Sequence, residues 1–208
     1  MSPSATRRLV VVHAGVSQPS STGLLAERLA AATSDALLER GHEALVEVVD
    51  VRDHAQALAN ALLTGFPSGA LREALEAVAS ADGVIAVTPV YQASYSGLFK
   101  MFFDALRDGE LRGTPVLMAA TAGTARHSLV LEHALRPLFA HLKAVTVPTA
   151  VFAASEDWGA SGSVDRGLDT RIGVAAAELA DLVTGQPAQR TRTDDFTVTV
   201  PFEELLGG

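Results

Sequence analysis

The chain has 208 residues, a net charge of −8, 48% apolar residues and no cysteine. Its length fits one domain with a substantial core. The missing thiols exclude disulfides, thiolate metal sites and cysteine nucleophiles, and suit a reducing cytoplasm. The acidic balance argues against a general nucleic-acid binder, yet leaves room for an anionic ligand held by backbone amides.

No apolar run approaches the roughly 18 residues that a bilayer crossing needs. The polar start, Met1–Arg8, leads into a strand pattern and does not read as a secretory signal. Leu9–His13 predicts a buried strand. Gly15, Pro19 and a run of hydroxyls break it, and Thr22–Arg40 then shows helical periodicity that Gly41 ends. Ala44–Val51 reads as a second strand. Arg52–Ser68 is mixed, read as a short helix and a loop closed by Gly65-Phe66-Pro67. Ala70–Ser80 is helical, and Gly83–Thr88 is a third strand.

A loop of small, hydroxyl-bearing and aromatic residues follows, from Pro89 to Gly97, and leads into a helix over Leu98–Arg107. Pro115–Ala120 is the fourth strand, Thr121–His127 a second small-residue loop, and Ser128–Leu142 a helix. Val145–Phe152 is the fifth strand; Pro148 inside it favours an edge or a bulge. Ala153–Ser163 is a loop carrying Trp158, and Val164–Thr184 is the last helix. Residues 1–185 form the domain. Residues 186–208 form a tail with no assigned role, in which Phe196–Val200 alternates like a strand.

Five buried strands alternating with helices imply right-handed crossovers and a parallel sheet, in the common order 2-1-3-4-5. The loops after strands 1, 3 and 4 then converge on one edge, where open sheets of this type bind ligands. Gly15–Thr22 has four hydroxyls at a helix start, an arrangement suited to an anion. It is neither a dinucleotide fingerprint, a P-loop nor a nucleophile elbow. Helix capping by Ser20, Ser21 or Thr22 uses the same amides. In Thr121-Ala122-Gly123-Thr124, small residues let the backbone approach a ligand, and Gly123 allows positive φ. Pro137 sits in mid-helix and deprives the His133 carbonyl of its partner, which predicts a kink or a π-type turn there.

Thr88-Pro89-Val90-Tyr91 and Tyr95-Ser96-Gly97, followed by Lys100 and Asp104, resemble the flavin-ring loop of the NAD(P)H-dependent FMN reductases. They are most similar to the reductase components of two-component alkanesulfonate-type monooxygenases. Gly15–Thr22 and Thr121–Lys143 fit the same resemblance, which covers about the first three-quarters of the chain. It implies a flavodoxin-like three-layer α/β sandwich. It further implies that Ser17, Ser20, Ser21 and Thr22 hold the FMN phosphate, and that Pro89, Val90, Tyr91, Ser94, Tyr95 and Ser96 flank the flavin ring. Thr121, Ala122 and Gly123 would offer backbone donors to its pyrimidine edge, and His133 would lie on a broken helix at a subunit interface near the flavin. The chain departs from the family at Gln18, where many relatives carry arginine, and at Ala122, where glycine is usual.

Hydride transfer from NAD(P)H to FMN needs position and backbone hydrogen bonds rather than a fixed acid or base. Accordingly, the six histidines show no ligand spacing, and Glu132 with Arg136 reads as an i,i+4 surface pair. The resemblance implies a cytoplasmic flavoprotein that serves a partner monooxygenase, with no nucleic-acid or membrane partner. A bound-FMN quinone or azo-compound reductase and a flavodoxin-type electron carrier are the alternatives. Apolar residues around most of Ser128–Leu142 predict a homodimer or homotetramer, with this helix and Leu98–Arg107 at the contacts.

Overall fold

The computed structural model describes residues 5–158 and 166–185. In chain order its elements are β1 (Ala5–His13), α1 (Ser21–Glu39), β2 (His42–Asp50), α2 (Ala55–Thr64), α3 (Gly69–Ala79), β3 (Gly83–Tyr91), β4 (Ser94–Tyr95), α4 (Gly97–Asp104), β5 (Pro115–Ala122), α5 (Arg136–His141), β6 (Val145–Thr146), β7 (Val151–Ala154) and α6 (Arg166–Thr184). The main path of the sheet runs β2-β1-β3-β5-β6, with β7 also paired to β5. All of these ladders are parallel. This is the expected order, with the fifth position split in two. Pro148 lies between the two halves and cannot donate to a ladder. The remaining strand, β4, is a two-residue arm that folds back on β3.

The side chains of the central strands alternate between two cores. Val10, Val12, Val84, Ala86 and Met118 face one, together with residues of α2, α3, α4 and α5. Leu9, Val11, Ile85, Leu117 and Ala119 face the other, with α1 and α6. In the first core, Phe99 and Phe103 of α4 have ring centroids 4.7 Å apart, and Phe103 meets Phe139 edge-on at 5.0 Å. Each ring is buried and contributes on the order of 1.5–3 kcal/mol. This cluster fixes the helix that leaves the ring loop.

Two expectations change, and the short helix and loop expected over Arg52–Ser68 are present with an added turn. The second strand is not buried: β2 is the sheet edge, and Leu45 and Val48 are each 57% exposed. Apolar composition signalled a strand there, but only position in the sheet decides what covers it. Arg52–Ser68 contains a 3-10 turn over Val51–His54 and a full helix, α2, which ends at Gly65 in the left-handed conformation (φ 80°). Ser128–Leu142 is not one helix. A 3-10 turn (Ala125–His127) precedes a π turn (Leu131–Leu135), which passes into α5. The Arg136 N–H reaches the Leu131 carbonyl five residues back, and Pro137 has no N–H to offer His133. The expected π turn is therefore present at His133. The strand-like Phe196–Val200 lies outside the described residues.

Candidate functional site

The site begins at the end of β1. Ser20 is the N-cap of α1, and its Oγ accepts from the Gly23 N–H at 3.1 Å. The Leu24 N–H already bonds the Ser20 carbonyl. The first-turn amides of Ser21 and Thr22 are thus the ones free for a ligand. Capping and anion binding draw on the same helix start, and the structure divides them between neighbouring amides. Gly15 is required for close approach: a Cβ there would lie 2.1 Å from Ser20 Oγ and 3.1 Å from Thr22 Cβ. The peptide Gln18–Pro19 in this loop is cis.

Thr22 and Thr121 are both buried, and their hydroxyls meet at 2.7 Å. This contact ties the start of α1 to the end of β5 and engages the Thr22 hydroxyl, so Thr22 faces a ligand through its amide. Gly123 does not use a positive φ. Nothing lies within 4 Å of where its Cβ would be, so its lack of a side chain leaves open space in front of the loop.

The ring loop is built as a hairpin. Tyr91 pairs with Ser94 and Val90 with Tyr95, leaving Gln92 (φ 48°) and Ala93 (φ 65°) as a two-residue turn. Positive φ at both positions is the type I′ geometry that normally takes Asn-Gly. Below the turn, the buried Thr88 accepts the Ser96 N–H at 3.0 Å, and Ser96 Oγ caps α4 by accepting from the Phe99 N–H at 3.2 Å. Tyr95 leans on Phe99, with centroids 6.0 Å apart.

The three loops enclose a cleft of about 180 Å³. Ser17, Ser21, Thr22, Pro89, Val90, Tyr91, Thr121, Ala122 and Gly123 line it, as the sequence reading expected them to be grouped. Ser20, Ser94, Tyr95, Ser96 and His133 do not line it. Ser20 and Ser96 serve as caps, and Tyr95 packs against the aromatic core. His133 is exposed on the π turn. Two lining residues, Val16 and Ser155, were missed. Val16 lies inside the flagged loop, between Gly15 and Ser17. Ser155 carries no local motif; only the register of β7 beside β5 brings it here.

Among the described residues no carboxylate, histidine, lysine or arginine lines the cleft, and none form a cluster of three metal-ligand side chains. Free amides and hydroxyls at a helix start fit a phosphate, and small-residue backbone fits the edge of a flat ring. A second hollow, of about 310 Å³, lies beside Arg8 and is lined by Glu47, Glu73 and Glu76. Its carboxylates repel an anionic nucleotide, so its larger volume does not make it the better candidate.

Glu132 and Arg136 form a bidentate pair at 2.6 and 2.8 Å, as their spacing predicts. The Arg136 hydrogen bond holds the Glu132 carboxyl below its usual value, and burial only partly opposes this. Arg136 Nη1 also donates to Thr146 Oγ1 at 2.9 Å, which ties the π turn to β6. The apolar residues Val130, Leu131, Leu135, Leu138 and Phe139 are all buried within this chain. Leu142, the sixth apolar residue of the stretch, is only half-buried, and Leu129 at its start is exposed, so the cover needed from outside is smaller than the apolar pattern predicts. The exposed apolar side chains include Leu129 within this stretch, Leu63 and Phe66 at the end of α2, and Leu45 and Val48 on β2.

The family profile described as NADPH-dependent FMN reductase matches residues 7–159. An FMN reductase (NADPH) from Pseudomonas aeruginosa is 37% identical over 181 residues, 86% of this chain and 94% of that protein. The NADH-dependent FMN reductase SfnE of Pseudomonas putida is 37% identical, over 88% of this chain and 95% of its own length. Among solved structures, an oxidoreductase from Corynebacterium diphtheriae superposes with a TM-score of 0.84 at 44% identity, covering 88% of this chain and all of that one. The apo form of an NADH:FMN oxidoreductase (EMOB) superposes at 0.76 with 31% identity, covering 88% of this chain and 94% of that one.

Proposed function

The chain belongs to the NADPH-dependent FMN reductase family, and from that premise we propose that it reduces FMN with NAD(P)H and releases the reduced flavin to a separate monooxygenase. The observation that carries this reading is a cleft of amides and hydroxyls at the meeting of three loops, whose described lining holds no carboxylate, histidine, lysine or arginine. Bound FMN supplies the hydride acceptor. The chain supplies position. The Ser21 and Thr22 amides and the Ser17 hydroxyl hold the phosphate, aided by the dipole of the 19-residue α1. Thr121–Gly123 present backbone to the pyrimidine edge, and Pro89, Val90 and Tyr91 wall the ring. Tyr91 is 47% exposed, which supports a ring face open to the nicotinamide.

FMN comes and goes as a substrate. Gln18 replaces a charge-assisted phosphate contact, and losing one typically costs about 1.5–3 kcal/mol, roughly ten- to a hundredfold in affinity. Assembly as a homodimer or homotetramer is supported by the exposed Leu63, Phe66 and Leu129. No helix among the described residues is long and apolar enough to cross a membrane, and a cysteine-free chain that uses NAD(P)H suits the cytoplasm. Relatives named for NADH and for NADPH both occur.

The test is FMN titration of dialysed protein, followed by NAD(P)H oxidation with FMN in excess. The expected protein is pale, binds FMN with micromolar affinity, turns over at a rate that saturates with added FMN, and uses riboflavin less well. A yellow protein whose stoichiometric FMN survives dialysis, and whose turnover ignores added FMN, moves the assignment to a bound-flavin quinone reductase.

A further inference from the structure

We propose that Ser155, on the 3-10 turn (Ser155–Trp158) that follows β7, is a further phosphate ligand of the flavin site, held in place by the Asp157–Arg171 pair. The inference rests on the flavin-nucleotide reading above and extends it to a residue outside the three flagged loops.

Ser155 lines the same cleft as Ser17, Ser21 and Thr22. Its position follows from register. Thr121 pairs with Ala153, and Ala122 with Ala154. Ala153 points into the core shared with α1 and α6, and Thr121 points the same way, since its hydroxyl meets Thr22 of α1. Ser155 opens the 3-10 turn one residue beyond the end of β7, beside Ala122, and this places it in the cleft lining with Thr22 and Thr121.

The turn is pinned at both ends. The Asp157 carboxylate accepts the Ala154 N–H at 2.7 Å and pairs with Arg171 of α6 at 3.3 Å. Arg171 also donates to the Phe152 carbonyl at 3.3 Å. These contacts engage the Asp157 carboxylate, which does not line the cleft. At the far end, Arg28 of α1 lies over the Trp158 ring at 5.8 Å and pairs with Asp169 of α6 at 3.1 Å. The turn is thus bolted to the helix that begins at the phosphate site and to the helix behind it. With the backbone of the turn held this way, only the Ser155 side-chain torsion is left to be ordered when it donates to a phosphate oxygen. It strengthens a site that carries Gln18 where a cation would otherwise assist.

The test uses the full chain with Ser155→Ala and Ser155→Thr, and FMN and riboflavin as paired ligands followed by flavin fluorescence. Removing the hydroxyl should weaken FMN by about tenfold and leave riboflavin unchanged. Ser155→Thr should restore FMN binding. Inorganic phosphate should compete with FMN less well in Ser155→Ala than in wild type. Arg171→Met, which keeps the hydroxyl and loosens the turn, should lower the preference for FMN over riboflavin by a smaller factor. Equal losses for both flavins, or none, overturn the ligand role. An unchanged preference in Arg171→Met overturns the positioning role. If wild type itself fails to bind FMN, the flavin reading fails; if wild type binds and Ser155→Ala matches it, only this inference fails.

Discussion

The phosphate loop and the ring loop are built on opposite principles. Around Gly15 there is no spare volume: Ser20 Oγ occupies the place of a Cβ, and the same hydroxyl caps α1. The ring loop is open. Nothing lies within 4 Å of an added Cβ at Gly97, its tip is exposed, and it holds Gln92 and Ala93 at positive φ. A fixed anion site needs amides set before the ligand arrives, so the first loop is packed against itself. A site for two stacked rings needs room, so the second is anchored only from below, through Thr88, Ser96 and the phenylalanines of α4. The difference teaches that a ligand with a charged end and a flat end would call for different means at each: pre-set backbone at one, a rigid floor with open space above at the other.

The largest effect should come from breaking the packed side. Gly15→Ala forces Ser20 off its cap and crowds Thr22, which should cost about 1–2 kcal/mol of stability and weaken FMN by about tenfold. Urea denaturation and flavin titration read the two losses together. Gly97→Val adds bulk where the chain leaves space. It should lower FMN affinity severalfold while the unfolding free energy from urea denaturation stays within about 0.5 kcal/mol of wild type; a large stability loss would show that the open side is packed after all.

The strain in the ring loop gives a smaller effect. Ala93→Gly removes a Cβ from a left-handed position and should stabilise by about 0.5–1 kcal/mol, the gain being offset in part by the entropy of glycine. The melting temperature should rise by about 1–4 °C.

The smallest effect tests the helix behind the site. The Glu132 carboxyl is lowered by its Arg136 hydrogen bond, so the folded state binds that proton less readily than the unfolded state. Its contribution is full above the ordinary carboxylate value and is lost as pH falls through the lower folded value. The pair is largely solvent-facing, so the gain is at most about 0.5 kcal/mol. Glu132→Gln should lower the urea midpoint slightly at neutral pH, and the gap to wild type should close in acid.

Much of this protein was determined by local sequence alone. Strands alternating with helices pointed to a parallel sheet with right-handed crossovers, for which 2-1-3-4-5 is a common order. Gly15–Thr22, Pro89–Gly97 and Thr121–His127 were legible as loops that meet at one edge of the sheet, because each follows the carboxyl end of a strand in this topology. Pro137 announced the break at His133, since a missing N–H has a fixed consequence four residues back. Tertiary structure decided the rest, because each remaining point depends on which distant residues become neighbours. Ser20, Ser96 and Tyr95 were flagged for the ligand and were claimed by helix caps and the aromatic core. β2 became an edge because nothing pairs beyond it among the described residues. Thr22 met Thr121 across 99 positions, and Ser155 reached the cleft only through the register of β7 beside β5. Such long-range contacts are products of the assembled sheet and leave no periodicity or motif behind in the chain.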